Sequence, residues 1–171
     1  MKKKTLLITG ISGFLGNQFI KRAAKKYKLV GTYHTNSVQF QGIETYQLDL
    51  QNASSTKALM NQIKPDVLFH LAALSNPNFC EQNADLSLAI NVLASERLAK
   101  ICESKKIPFI FTSTDLVFDG QSGNYNIDSP TKAICLYGKH KRMAEEKILS
   151  CLLYTSPSPR DATLSRMPSS A

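Results

Sequence analysis

A chain of 171 residues, 43% of them hydrophobic, has room for one domain with a sizeable apolar core. Its formal charge is +8, from 21 Lys and Arg against 13 Asp and Glu, yet no aromatic-interleaved basic patch suggests nucleic acid. No apolar run reaches the roughly 18 residues of a membrane span, so neither nucleic acid nor membrane is an expected partner.

The elements follow in chain order. Residues 5–9 form a continuous apolar run, the kind of strand that a parallel sheet buries on both faces. Residues 14–26 have helical spacing, with Phe14, Leu15, Phe19, Ile20 and Ala23 on one side and Lys21, Arg22, Lys25 and Lys26 on a solvated face. Residues 28–33 and 44–48 read as the second and third strands. Ser54 or Ser55 caps a helix that runs to Ile63, Pro65 ends it, and residues 66–72 form the fourth strand. One long helix over about 80–104, a fifth strand over 107–112 and a last helix over 137–149 complete the domain. Strands alternating with helices predict an α/β fold: a Rossmann-type doubly wound parallel sheet, incomplete at its C-terminal side. Strand three should lie beside two, two beside one, and four on the far side of one.

Residues 1–150 are expected to be the nucleotide-binding domain, and residues 151–171 a non-native, disordered tail. Composition shifts there to Ser, Pro and Arg without periodicity. Residues 151–161 also back-translate into a stretch resembling a transposase sequencing adapter, and residues 165–171 into one resembling the distal primer of the same library. The reading frame is therefore expected to leave the natural gene near Ser150. Cys80, Cys102, Cys135 and Cys151 make no C-x-x-C pair and no zinc-finger spacing, which fits reduced thiols in a cytoplasmic protein without a metal site.

Between the first strand and first helix stand Gly10, Gly13 and Gly16, in G-x-x-G-x-x-G spacing. A glycine turn there lets backbone amides at a helix N-terminus face a pyrophosphate, aided by the helix dipole. Cofactor choice should rest on the end of strand two, where Tyr33, His34, Thr35 and Asn36 supply no carboxylate to hold the ribose hydroxyls of NAD. NADPH is the expected cofactor, with NADH as the alternative.

Tyr137 and Lys141 lie four residues apart, on one face if helical. An ammonium about 4 Å from a phenol contributes roughly 4 kcal/mol at an effective dielectric near 20, which would lower the phenol by about three pKa units before desolvation opposes it. Tyr137 is then a candidate general acid for a carbonyl under reduction. Thr114 follows strand five, in the run Thr112-Ser113-Thr114-Asp115-Leu116-Val117-Phe118, where a hydroxyl can hydrogen-bond a substrate carbonyl. His70 is expected to be packed and His140 to face solvent.

The glycine turn, Asp49-Leu50, His70-Leu71-Ala72-Ala73, the Ser113-Thr114-Asp115 run and the Tyr137/Lys141 pair occur in the order seen in extended short-chain dehydrogenases/reductases. The Ser-Thr-Asp-x-Val-Phe form resembles the dTDP-4-dehydrorhamnose reductases. That resemblance implies a catalytic triad of Thr114, Tyr137 and Lys141, with Lys141 also holding the nicotinamide ribose. It places Gly10, Gly13, Phe14, Leu15 and Gly16 around the pyrophosphate and Asp49 and Leu50 at the adenine. Leu71, Ala72, Ala73 and Ser75 would line the dinucleotide cleft, and His34 would stand near the adenosine ribose. Leu116 replaces the usual Tyr of the run, Asn78 stands where Asp is common, and Ile127 where an acid often precedes Asp128-Ser129-Pro130.

The implied substrate is a 4-keto nucleotide-sugar of dTDP-rhamnose type, bound by a lobe beyond residue 150, and the parent protein is an expected homodimer. This chain alone is expected to bind dinucleotide weakly, if at all, and not to turn over. Two rivals remain open: a regulatory subunit resembling the β-subunit of methionine adenosyltransferase, and an NAD-dependent sugar-nucleotide epimerase or dehydratase.

Overall fold

A computed structural model describes residues 2–126 and 128–153. Ile127 and the expected tail from residue 154 onward lie outside the described residues.

Five strands form one parallel sheet in the order β3-β2-β1-β4-β5, the neighbours expected from the alternation of elements. They are β1 (Thr5–Thr9), β2 (Lys28–Tyr33), β3 (Glu44–Gln47), β4 (Val67–His70) and β5 (Phe109–Phe111). The pleat of β1 divides the core, because successive side chains point to opposite faces. Leu7 joins Val30, Leu68, Met60 and Leu98 on the face covered by α2 (Ala53–Ile63) and α5 (Ala94–Ser104). Leu6 and Ile8 join Ile11, Ile20 and Leu29 on the face covered by α1 (Phe14–Ala23). The last helix, α6 (Leu136–Leu153), packs on α5 and β5 through Ala99, Phe111, Ala144 and Ile148.

The single long helix expected over 80–104 is instead four pieces. Asn76 caps α3 (Pro77–Gln82), accepting a hydrogen bond from Phe79 N at 3.0 Å. Asn83, at φ −132° and ψ 58°, leaves the helical region and separates α3 from α4 (Ala84–Leu88). A π-helical turn, Ala89–Leu93, then leads into α5. A π turn wedges one extra residue into a helix and rotates the side chains it carries. Here it brings Asn91 against the loop after β4, where Asn91 Nδ2 donates to Leu74 O at 3.0 Å and Asn91 Oδ1 accepts from Leu74 N at 2.9 Å. α6 continues past the expected boundary at Ser150 to Leu153, with Cys151 and Leu152 packed on the Phe111 and Ile148 side of the core. Among the described residues no helix is long and apolar enough to cross a membrane.

Candidate active site

At the carboxyl ends of the strands lies a cleft of about 480 Å³. Its floor is the turn between β1 and α1. Gly10 has φ +71°, and a β-carbon there would lie 2.8 Å from Ala72 Cα. A β-carbon on Gly16 would lie 2.7 Å from Ile11 O, so both positions require glycine for the turn to close against its neighbours. Gly13 begins α1 without a side-chain cap, and the first turn carries no acid. The amides of Phe14, Leu15 and Gly16 therefore have no acceptor among the described residues and lie at the cleft wall. Unpaired N–H groups at the positive end of a helix fit an anion such as a pyrophosphate.

Every expected cofactor-binding residue lines this one cleft: the glycine turn, His34, Asp49, Leu50, Leu71, Ala72, Ala73, Ser75, Tyr137 and Lys141. His34 is exposed at the end of β2, and its carbonyl accepts from Gln47 Nε2 at 3.0 Å. Asp49 folds its own loop, accepting from Gln51 N at 2.9 Å. Arg97 holds the same loop from α5, donating to Leu50 O at 2.8 Å. Sequence reasoning missed Arg97, since nothing in helical spacing tells which loop an arginine will reach.

Beneath the cleft a polar chain crosses the core. Ser95 Oγ donates to Asn91 O at 2.9 Å, so it accepts from His70 Nε2, and His70 Nδ1 in turn accepts from the Thr9 hydroxyl. This tautomer leaves His70 neutral and paired at both nitrogens. Burial, with Lys141 nearby, holds its pKa down to about 3. His70 is therefore packed, as its place at a strand end suggests.

His140 corrects an expectation. It is 6% exposed rather than solvent-facing, and its Nδ1 shares a 2.8 Å hydrogen bond with Ser87 Oγ. α4 and the π turn pack on α6, closing over the face of α6 that helical spacing alone leaves open.

Tyr137 and Lys141 both line the cleft from α6, but the electrostatics differ from the sequence expectation. Lys141 Nζ donates to Thr112 O at 2.6 Å and stands 3.9 Å above the Phe111 ring. Burial lowers the lysine to about 7, with Glu145 opposing. Burial raises the Tyr137 phenol to about 12, with Cys80, Asp115 and Cys135 adding to it. The expected lowering of the phenol by the ammonium is absent here, because desolvation dominates both groups.

Thr114 lies off the cleft wall. Its hydroxyl accepts from Leu116 N at 3.3 Å and donates to Asp115 Oδ1 at 3.1 Å, capping the 3₁₀ turn Asp115–Val117. Ser113 and Thr112 line the cleft instead, and the buried Ser113 Oγ has no hydrogen-bond partner. Gly138 lets α6 approach that turn, since a β-carbon on it would collide with Leu116 O. Among the described residues no group of three His, Cys, Asp or Glu could hold a metal ion.

The family model described as RmlD substrate binding domain matches residues 4–155. The chain is 35% identical over 145 residues to methionine adenosyltransferase 2 subunit beta of Xenopus laevis, covering 84% of this chain and 42% of that protein. It is 30% identical over 143 residues to the probable low-salt glycan biosynthesis reductase Agl14 of Haloferax volcanii, covering 82% of this chain and 47% of that one. Its fold superposes on the crystal structure of a hypothetical dTDP-4-dehydrorhamnose reductase from Sulfolobus tokodaii with a TM-score of 0.77 and 29% identity, covering 86% of this chain and 51% of that one. The chain spans about half the length of the curated relatives it matches.

Proposed function

This chain belongs to the RmlD substrate binding domain family, and from that membership we propose that it is the dinucleotide-binding half of an oxidoreductase acting on the 4-keto carbon of a nucleotide-linked deoxysugar. NADPH is the favoured dinucleotide and NADH the alternative, because no carboxylate stands at the end of β2 to repel a 2′-phosphate. The observation that carries the reading is a single cleft lined at one end by uncapped helix amides and at the other by Tyr137 and Lys141.

When bound, the dinucleotide supplies the hydride. The chain's own residues do the rest. The amides of Phe14, Leu15 and Gly16 hold the pyrophosphate, and Leu50 and Asp49 flank the adenine. Tyr137, raised to about 12, stays protonated at neutral pH and so is in the state needed to give a proton to a developing alkoxide. Lys141 leaves Thr112 O for the nicotinamide ribose and brings its positive charge toward the phenol. Thr114, released from its cap, or the neighbouring Ser113 orients the carbonyl.

Fluorescence titration of the chain with NADPH and NADH tests the reading. Weak, saturable binding that Gly13→Asp abolishes is expected, because a carboxylate beside the uncapped amides repels phosphate. No saturable binding of either dinucleotide at millimolar concentration would count against it. Turnover is expected of the intact protein and not of the 171-residue chain.

A second reading, a non-catalytic subunit like the methionine adenosyltransferase relative, is favoured by the Thr114 hydroxyl being spent on a local cap. Reduction of a 4-keto nucleotide-sugar by the intact protein, lost in Tyr137→Phe, decides between the two.

A further inference from the structure

A parallel sheet gives the molecule two unlike ends. The cleft lies at the carboxyl ends of the strands, and among its lining residues Lys141 is the one lysine. The segments leading into the strands lie at the opposite end. Residues 2–4, before β1, are all lysine. Lys25 and Lys26 precede β2, Lys64 precedes β4, and Lys105 and Lys106 precede β5. Eight of the chain's 21 basic side chains, all exposed, therefore share one rim. Neighbouring strands lie about 4.8 Å apart, so the four lysine-bearing strand starts form a band roughly 15 Å wide. Of the carboxylates near it, Glu44 pairs with Lys28 at 2.9 Å, Asp66 accepts from Thr5 N at 2.7 Å, and Glu103 precedes Lys105 by two residues, so the lysines outnumber the acids there. These eight lysines thus face away from the ligand cleft.

Two of these lysines hold an unfavourable backbone. Lys64 has φ +47° and Lys106 has φ +55°, left-handed positions just past helix ends where glycine is the ordinary choice. Positive charge is present at the rim even where the backbone favours a residue without a β-carbon.

We propose that this rim is a peripheral docking surface for an anionic phospholipid bilayer, with the cleft held facing away from the membrane. A cluster of four to eight lysines near one plane is what an acidic leaflet attracts, and no membrane-spanning segment is needed. Three features favour a bilayer over a nucleic acid. The rim is built of ammonium point charges rather than arginine forks. Tyr27, the aromatic residue between Lys26 and Lys28, is partly buried and packs against the core cluster of Leu6, Ile8 and Leu29, which reduces the ring surface open to a base. The starts of adjacent strands form a band rather than a groove.

The test is co-sedimentation of the 171-residue chain with phosphatidylcholine vesicles, with and without phosphatidylglycerol. Binding is expected with the anionic vesicles alone and should be lost at high salt. The triple variant Lys25→Glu, Lys26→Glu, Lys105→Glu should lower partitioning by roughly tenfold or more. The triple variant Lys57→Glu, Lys132→Glu, Lys139→Glu makes the same change in net charge away from the rim and should bind like the parent. Lys64→Gly with Lys106→Gly should melt no lower than the parent, because it relieves the left-handed strain, and yet bind anionic vesicles more weakly. Equal loss in both triple variants, no preference for anionic vesicles, or capture by a nucleic-acid duplex in direct competition with vesicles each overturns the proposal.

Discussion

The ammonium of Lys141 donates to the carbonyl oxygen of Thr112 at 2.6 Å, with the Phe111 ring 3.9 Å beneath it. The residue expected to lower the Tyr137 phenol is thus docked on the end of β5. Burial drives each member of the pair toward its neutral form, the lysine down to about 7 and the phenol up to about 12. A neutral lysine exerts no pull on a phenol. On the proposed function, a ligand that offers Lys141 hydroxyl oxygens in place of one carbonyl restores the charge and couples the pair.

This has a consequence for stability. The folded pKa of Lys141 lies below its unfolded value of 10.5, so the unfolded chain binds the extra proton above pH 7 and stability rises with pH. Cys102 is raised by burial from 9.0 to about 12, so above pH 9 the unfolded chain loses a proton that the folded one keeps, which offsets the Lys141 gain and flattens the rise. Urea unfolding should therefore show a gain of about 2 kcal/mol between pH 7 and pH 9. Lys141→Met should remove that gain. A parent profile that is flat over the window contradicts the assignment.

His70 sets the acid limb. Its folded pKa, near 3, is below the unfolded 6.5, so its contribution is complete above pH 6.5 and is lost as pH falls toward 3. The loss is on the order of 4 kcal/mol. His70→Phe should leave the Thr9 hydroxyl proton without its acceptor and Ser95 Oγ with only its bond to Asn91 O, and cost about 1–3 kcal/mol at neutral pH. Its unfolding should also depend less on pH between 6.5 and 3 than the parent's. Equal acid dependence in the two proteins would place the titrating group elsewhere.

The residues that were legible in the sequence are those whose role is set by backbone geometry. Gly10 and Gly16 announce a turn that no other residue can make, and Leu6, Leu7 and Ile8 announce a strand buried on both faces. The misread residues depend on contacts between distant segments. His140 is polar and sits in an amphipathic helix, so spacing assigns it to solvent, whereas Ser87 from α4 covers it. The break at Asn83 and the π turn at Asn91 are invisible to a 3.6-residue period, because the period continues through them in composition. Thr114 is a side chain with two local uses, cap or cleft, and spacing cannot rank them.

Gly138 separates a structural requirement from glycine content. Gly138→Ala drives a β-carbon into Leu116 O, forcing apart α6 and the 3₁₀ turn. It should cost about 1–3 kcal/mol and, by displacing Tyr137, weaken dinucleotide binding. A β-carbon on Gly123 would meet nothing within 4 Å, so Gly123→Ala should change stability by less than about 0.5 kcal/mol. Equal destabilisation of the two variants in urea would show that the close approach at Gly138 is not what holds α6.

The end of α6 bears on the boundary expected at Ser150. Cys151 and Leu152 lie three and four residues beyond Ile148, so a helix that continues puts them on its buried side, against Ala99 and Phe111. A helix under way needs no particular native sequence to add another turn; it needs apolar residues at those two spacings. On the expected boundary, a segment translated from foreign codons extends the domain for three residues. We expect a chain ending at residue 150 to be less stable than one ending at residue 155 by about 1–2 kcal/mol, the burial of part of one leucine and one cysteine. The chain ending at residue 155 should match the 171-residue chain within about 0.5 kcal/mol. If the shortest of the three is as stable as the others, the added turn contributes nothing and the domain ends where composition changes.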